Sequence, residues 1–366
     1  MKNLNVENLN EELRDPAKVQ ALLSAIRKFG SRSISLMEVC GTHTMSIFRY
    51  GIREMLPQNI KLLSGPGCPV CVTPYRAIDE AIAAAKHPNR ILTTFGDMVR
   101  VPGSRMSLAQ AKAEGIDLRV VYSPLDAVGL AAENQDREII FLAIGFETTA
   151  PTIAAAVLTA EELNLKNFSI IGNNKTLPGA LRVLLTSPDV KVDGLICPGH
   201  ISTIIGSEPF RFIPEELGIP AVITGFEPVD ILQGIYMLLT QIQKETAQVQ
   251  IQYRRGASSG GNPHALKLLN QVFQSGDDNW RGFGVIPGTG LKIKKEYEHF
   301  DTLKKFNVTI PDVDDPIGCR CGDVLRGAAA PLECPMFGKA CTPEKPVGAC
   351  MVSTEGTCAA YYKYGG

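Results

Sequence analysis

Residues 138–151 read Glu138-Ile139-Ile140-Phe141-Leu142-Ala143-Ile144-Gly145-Phe146-Glu147-Thr148-Thr149-Ala150-Pro151. The unbroken apolar run Ile139–Ile144 is what a strand buried on both faces of a parallel sheet looks like. It leads into a glycine turn and then into a helix opened by Pro151, a residue that fits the first helical turn. The pattern is echoed downstream, where Ala221–Thr224 leads through Gly225-Phe226-Glu227 to a helix starting at Pro228.

Working outward, the same alternation covers most of the chain. Strands are predicted at Ser33–Val39, Ile60–Leu63, Ile91–Thr94, Leu118–Val121, Phe168–Ile171 and Gly194–Ile196. Helices are predicted between them at Tyr75–Lys86, Ser107–Glu114, Pro124–Asn134, Pro151–Leu163, Pro178–Thr186 and Pro228–Gln243. Strands alternating with helices form parallel βαβ units with right-handed crossovers. The expected fold is α/β: two similar parallel-sheet domains facing a central cleft, plus a small irregular Cys-rich domain. The division expected is an N-terminal helix in 1–30, capped by Asp15, then domains 31–137 and 138–245, joined at the polar stretch Glu133–Glu138, and a last domain 246–366. In that last part Arg254–Asn262 reads as a loop, Pro263–Gln274 as a helix and the Gly-rich Trp280–Lys292 as a hairpin.

Composition narrows the function. The 366 residues carry 37 Lys+Arg against 38 Asp+Glu, without the basic excess of a nucleic-acid binder. No uncharged apolar run reaches the ~18 residues of a membrane helix, and the polar, acidic Met1–Pro16 is unlike a signal peptide. A cytoplasmic location follows as the expectation. Ten cysteines are present, and six of them (Cys319, Cys321, Cys334, Cys341, Cys350, Cys358) crowd into residues 319–358. In a reducing compartment such a cluster points to metal binding or redox work, not structural disulfides.

The chemically distinctive residues follow predicted strands, where open α/β sheets bind ligands. Cys40-Gly41-Thr42-His43 follows the first strand, and Gly65-Pro66-Gly67-Cys68-Pro69-Val70-Cys71 the second. Asp97, Glu147 and Cys197-Pro198-Gly199-His200 follow later ones. Cys68 and Cys71 form a Cys-x-x-Cys, whose spacing suits a reversible disulfide or two soft ligands on one metal. Cys40 with His43 suits an activated thiolate or a soft metal with one nitrogen ligand. Asp97 and Glu147 also fit as carboxylates at helix N-termini, His200 as part of a capped turn, and Cys197 as a small buried hydrophobe. The tail spacing Cys334-x6-Cys341-x8-Cys350-x7-Cys358 fits neither a zinc ribbon nor the bacterial ferredoxin run. Six sulfurs exceed the four positions of a four-iron cluster, which leaves two over. The chain has no P-loop and no radical-SAM cysteine motif.

Taken in order, Cys40-Gly41-Thr42-His43, the Gly65–Cys71 loop, Phe95-Gly96-Asp97-Met98 with Arg100–Ser104, Gly145–Pro151, Cys197–His200 and the tail Glu333-Cys334-Pro335 through Cys358 resemble the HypD family of [NiFe]-hydrogenase maturation factors, from about residue 15 to the C-terminus. The resemblance implies a redox-active assembly scaffold and not a simple turnover enzyme. It implies a [4Fe-4S] cluster and a transient Fe(CN)2CO iron. It implies as partners the chaperone HypC, the cyanide donor HypE (as the HypE–HypF product) and, indirectly, the hydrogenase large subunit. Cys40 would then hold the iron, and Cys68 and Cys71 would be a redox pair or further thiols of that site. His43, Asp97, Glu147 and His200 would line the same cleft. Cys334, Cys341, Cys350 and Cys358 would hold the cluster, with Cys319 and Cys321 as a relay. The residues also allow a stand-alone iron–sulfur thiol–disulfide oxidoreductase, or a zinc protein organised around the tail.

Overall fold

The computed structural model describes residues 11–311 and 318–365. Residues 1–10 of the expected N-terminal segment and 312–317 of the expected tail lie outside them. The first helix, Pro16–Ile26, forms as its sequence dictates: Asp15 Oδ1 accepts the Ala17 N–H at 2.8 Å and Pro16 opens the first turn. Its buried stripe Val19, Leu23 and Ile26 packs on the helix Pro228–Gln243.

Nine strands follow in chain order: β1 Ile34–Glu38, β2 Ile60–Ser64, β3 Arg90–Thr94, β4 Asp117–Val120, β5 Glu138–Gly145, β6 Phe168–Asn174, β7 Gly194–Pro198, β8 Ala221–Thr224 and β9 Val249–Ile251. They form two sheets, ordered β2-β1-β7-β8-β9 and β4-β3-β5-β6, with every pairing parallel. The stretch that opened the reading is the longest of the nine: β5 is buried along nearly its whole length, between β3 and β6.

The sheets do not follow the expected division at 137/138. The first takes β1 and β2 from early in the chain and β7 to β9 from residues 194–251, while the second is β3 to β6. Glu133–Glu138 is therefore a connection inside the second sheet and not a joint between sheets. Parallel strands of similar apolar composition carry no local signal of which neighbour they pair with, and only the crossovers decide it. The strand order reverses beside β1 in the first sheet and beside β3 in the second, so the β1/β7 and β3/β5 carboxyl ends are the natural crevices.

The helix Pro263–Val272 ends two residues before the sequence reading. The next residues enter an antiparallel hairpin, β10 Phe273–Trp280 and β11 Gly284–Ile293, longer than the Gly-rich stretch suggested. The hairpin lies on the second sheet's last strand and on the helix Leu177–Thr186. Trp280, fully buried, stacks on Phe146 and donates its Nε1–H to Thr289 Oγ1 at 2.8 Å. Lys175 is buried beneath it and paired with Asp278 at 2.6 Å. Beyond residue 318 regular structure is confined to the helices Cys321–Leu325 and Thr357–Tyr364 and two 3-10 turns, Pro331–Glu333 and Ala349–Met351. No helix among the described residues is long and apolar enough to cross a membrane.

Trp280 is the chain's sole tryptophan. Replacing it with Ala removes the hairpin's anchor and is expected to cost about 3–5 kcal/mol. Urea unfolding followed by circular dichroism checks this, and a loss below about 1 kcal/mol would mean that the hairpin is held elsewhere.

Candidate functional site

Cys40 lies two residues beyond β1, at the N-cap position of the helix Gly41–Arg49. The amides of His43 and Thr42 point toward its sulfur and pull its pKa down without closing to cap hydrogen bonds. Burial outweighs them, and with the nearby Glu355 carboxylate it pushes the thiol up to about 12. Cys40 is therefore a protonated thiol near neutral pH, not the activated thiolate that one sequence reading allowed. A cation at its sulfur is what would release the proton. The backbone here is crowded. Gly41 N–H donates to Gly67 O at 3.1 Å, and a Cβ on Gly67 would lie 2.2 Å from Cys40 N. The Gly-Pro-Gly of the Cys-x-x-Cys loop thus has a steric cause: the loop runs against the Cys40 backbone.

The tail supplies a residue that the sequence reading missed. Glu355 accepts the Thr42 hydroxyl at 2.6 Å, and a Cβ on Gly41 would lie 2.5 Å from Glu355 Cβ. Burial raises the Glu355 carboxyl and the charge of Asp97 adds to the shift, against the Thr42 hydrogen bond. Asp97, itself exposed, is thereby placed on the Cys40 side through Glu355. Beneath Cys40, fully buried Glu38 accepts from Thr44 Oγ1 at 2.5 Å and Cys40 N–H at 3.2 Å, and burial raises it to about 7.

His43 is buried, and its Nε2 lies 2.9 Å from Gly225 O and 3.1 Å from Thr224 O. Two carbonyl acceptors make Nε2 the protonated nitrogen, so Nδ1 keeps its lone pair, and Nδ1 is buried without a partner among the described residues. Burial lowers the His43 pKa to about 4, so the ring is neutral. Phe226 is sandwiched between His43, centroids 4.7 Å apart, and His200, 3.9 Å apart. The echo motif Thr224–Glu227 is thus the seat of both histidines. Its far end is fixed by Glu227, which takes Arg14 Nη2 at 2.9 Å and the Tyr50 hydroxyl at 3.1 Å.

Cys68 caps the short helix Pro69–Val72, and its sulfur accepts the Cys71 N–H at 3.3 Å. The Cys71 thiol meets two others, Cys350 and Cys68, and burial raises it well above the ordinary thiol value. Cys350 in turn receives Cys321, Cys358 and Cys71, and these converging thiols pull it well below that value. Cys321 touches Cys319 as well as Cys350, and Cys319 is lowered to about 7, chiefly by Cys321. Cys319, Cys321, Cys334, Cys341, Cys350 and Cys358 all line one pocket with Met336, Phe337 and Met351. Backbone amides already face two of the sulfurs: Val347 N–H on Cys341 and Cys358 N–H on Cys350, at 3.3 and 3.2 Å. Among the described residues no three His, Cys, Asp or Glu side chains stand in metal-holding geometry.

The structure thus sets Glu355 against the turn after Cys40, joins His43 with His200 through Phe226, and joins Cys71 with Cys350 of the tail. Glu147 stands apart from these contacts. Its Oε1 accepts the Leu177 N–H at 3.0 Å and its Oε2 is buried without a partner among the described residues. Cys197 is fully buried and its thiol raised by burial, as a packed small hydrophobe would be. Glu38, Glu355 and Phe226 were not singled out for the site. Only Phe226 had a signal in sequence, the repeated Gly-Phe-Glu.

Fold and site define a parallel α/β protein with a sulfur-lined centre reached by the strand ends of its first sheet. The sequence model of the HypD family, described as the Hydrogenase formation hypA family, matches residues 17–365. The chain is 45% identical over 367 residues to Hydrogenase maturation factor HypD of Rhodobacter capsulatus, covering 97% of each chain. It is 43% identical over 362 residues to that of Escherichia coli (strain K12), again 97% of each, and 43% over 364 residues to that of Azotobacter vinelandii, 97% of this chain and 96% of the relative. The chain belongs to the HypD family of hydrogenase maturation factors.

Burial raises the Glu147 carboxyl from 4.5 to about 7. The native state therefore holds a proton that the unfolded state has lost over that window. The stability this supplies is complete below about pH 4.5 and is lost as pH rises through about 7. Glu147→Gln is expected to reduce the fall in stability between pH 5 and pH 8 by about 2 kcal/mol. Urea unfolding at both pH values reads it. An unchanged fall would mean that Glu147 is already ionised in the native state.

Proposed function

We propose that the chain, with HypC, is the scaffold on which an iron receives two cyanides and one carbon monoxide before delivery to the hydrogenase large subunit. HypE donates the cyanides. Cys40 holds the iron, which enters as cargo. This reading is supported by a buried thiol that only a cation would deprotonate, on backbone pressed against the loop that carries Cys68 and Cys71, with Cys71 meeting Cys350 of the six-thiol pocket. His43 Nδ1, a bare lone pair on the helix that Cys40 caps, fits as a second donor or a proton acceptor in the same cleft.

The thiols carry the redox part. Freeing cyanide from an organic thiocyanate takes two electrons, and a dithiol holds two. The Cys68 and Cys71 thiols become a disulfide, and the donor's C–S bond breaks to give a thiol and hydrogen cyanide. The dithiol must then be re-reduced, and the tail sulfur that meets it is Cys350. The donor set of the tail pocket fits a [4Fe-4S] cluster, which takes four thiolates. Such a group would supply single electrons. Cys350, which touches Cys71 and Cys321, is better placed to carry reducing equivalents than to hold the cluster. Taking Cys350 and Cys321 as the relay pair would leave Cys319, Cys334, Cys341 and Cys358 as the four ligands. That exchanges Cys350 for Cys319 in the set expected from sequence.

Infrared spectra of the anaerobically purified chain with its chaperone test the scaffold reading. Cyanide and carbonyl bands are expected in the native protein and absent in Cys40→Ala. Bands retained in Cys40→Ala would remove Cys40 as the iron's holder. Brown protein without bands would favour the stand-alone oxidoreductase, and colourless protein with stoichiometric zinc the zinc reading. In the same preparations, Cys350→Ser is expected to keep the brown absorbance and Cys319→Ser to lose it. The reverse pattern would restore Cys350 to the ligand set.

A further inference from the structure

The tail reaches the Cys40 turn through four residues, Ser353-Thr354-Glu355-Gly356, between the 3-10 turn Ala349–Met351 and the helix Thr357–Tyr364. They close on buried Ser353: the Glu355 N–H donates to Ser353 Oγ at 3.2 Å and the Gly356 N–H to Ser353 O at 2.9 Å. One side of this segment is pressed on a cysteine of the six-thiol pocket. A Cβ on Gly356 would lie 2.1 Å from Cys350 O, so no side chain fits there unless backbone moves. The other side is pressed on the residues after Cys40. A Cβ on Gly41 would lie 2.5 Å from Glu355 Cβ and 2.7 Å from Glu355 O, and Glu355 Oε1 accepts the Thr42 hydroxyl at 2.6 Å.

The Cys40 turn is held from three directions. Cys40 N–H donates to Glu38 Oε2 at 3.2 Å beneath it, Gly41 N–H to Gly67 O at 3.1 Å beside it, and the Thr42 hydroxyl to Glu355. Glu38 and Gly67 belong to β1 and to the loop after β2, and both come into place with the first sheet. Glu355 comes from 313 residues further along the chain. The contact it opens continues down the helix Gly41–Arg49, where Tyr361 of the tail stands edge-on to Phe48, ring centroids 4.6 Å apart. One of the three holds on the turn therefore depends on where the tail sits, and the tail segment that supplies it is itself seated on Cys350.

We propose that Glu355 is a positioning residue of the Cys40 site, carried on a four-residue bridge, Ser353–Gly356, that fixes the turn after Cys40 only while the tail is seated on Cys350. The proposal rests on the reading of Cys40 as the iron's holder, and it deepens that reading: the two sulfur sites are assembled together, and a displaced tail leaves the Cys40 turn loose. Glu355 acts through Thr42 and Gly41 and not on the cargo. What it supplies is a hydrogen-bond acceptor at a fixed place, so its shape matters more than its charge.

Amide hydrogen exchange of the anaerobically purified full chain, read by mass spectrometry on peptides covering residues 41–49, tests the bridge. Glu355→Ala is expected to speed exchange there about tenfold while peptides from β5 exchange as in the native protein. Glu355→Gln keeps a carbonyl acceptor at the same reach and is expected to stay within about threefold of native. Gly356→Ala, which strains the Cys350 side of the bridge, is expected to speed exchange at 41–49 as Glu355→Ala does. Should Glu355→Ala fail to fold by circular dichroism, Thr42→Val removes the same hydrogen bond from its other end and carries the same expectation. Infrared spectra with the chaperone separate positioning from mere packing: cyanide and carbonyl bands about tenfold weaker per chain are expected in Glu355→Ala, and native bands in Glu355→Gln. Exchange within about twofold of native in Glu355→Ala would overturn the positioning role. So would Glu355→Gln behaving as Glu355→Ala, which would make charge the cause, or faster exchange with undiminished bands, which would make the contact one of packing. Native exchange at 41–49 in Gly356→Ala would overturn the bridge. Native protein without bands, in which Glu355→Ala and Gly356→Ala still speed exchange, would overturn the scaffold reading and still support the bridge.

Discussion

The contact between the Cys71 and Cys350 thiols is the constraint on which the site depends. It ties a four-residue helix after β2 to a tail that has little apolar core of its own. The other end of that helix is pressed, through Gly67, onto the Cys40 backbone. One short segment therefore spans from the cysteine just after β1 to the six-thiol pocket. The tail adds a second tie of its own through Glu355 on Thr42. A tail this poor in regular structure holds its place through such specific contacts and, on the reading offered above, through a bound metal group.

The electrostatics around these contacts follow one rule: burial outweighs polar support, so groups that could be charged are held neutral. Cys40, Glu38, Glu147 and Cys71 are all shifted upward with burial as the first cause, and His43 is shifted downward for the same reason. The exceptions are informative. Cys350 and Cys319 are lowered by neighbouring thiols, while Cys321 and Cys358 are raised by theirs. The Cys40 thiol is thus held protonated by burial, while within the tail some thiols are lowered at the expense of their partners.

Much of this was legible in the residues. The apolar run in β5, the cap at Asp15 and the placing of Cys40, Cys68, Asp97, Glu147 and His200 after strands are local features, read from spacing and composition. Strand partners were not, because β1 and β7 lie some 160 residues apart and resemble the other strands in composition. The same distance hid Glu355 on Thr42 and Arg281 on Thr73, contacts across more than 200 residues made by residue types common on any surface. Cys350 was visible as a cysteine in a metal-like cluster. Its place against Cys71 belongs to the folded chain alone.

Disulfide mapping tests the central contact most directly. The anaerobically purified chain is oxidised mildly, quenched with acid and digested, and its linked peptides are identified by mass spectrometry. A tail docked as described predicts a cross-link between the Cys68–Cys71 peptide and the Cys350 peptide, with Cys197 left unlinked. Oxidation that joins Cys68 to Cys71 and tail cysteines only to one another, with no link between the two groups at any oxidant level, would contradict it.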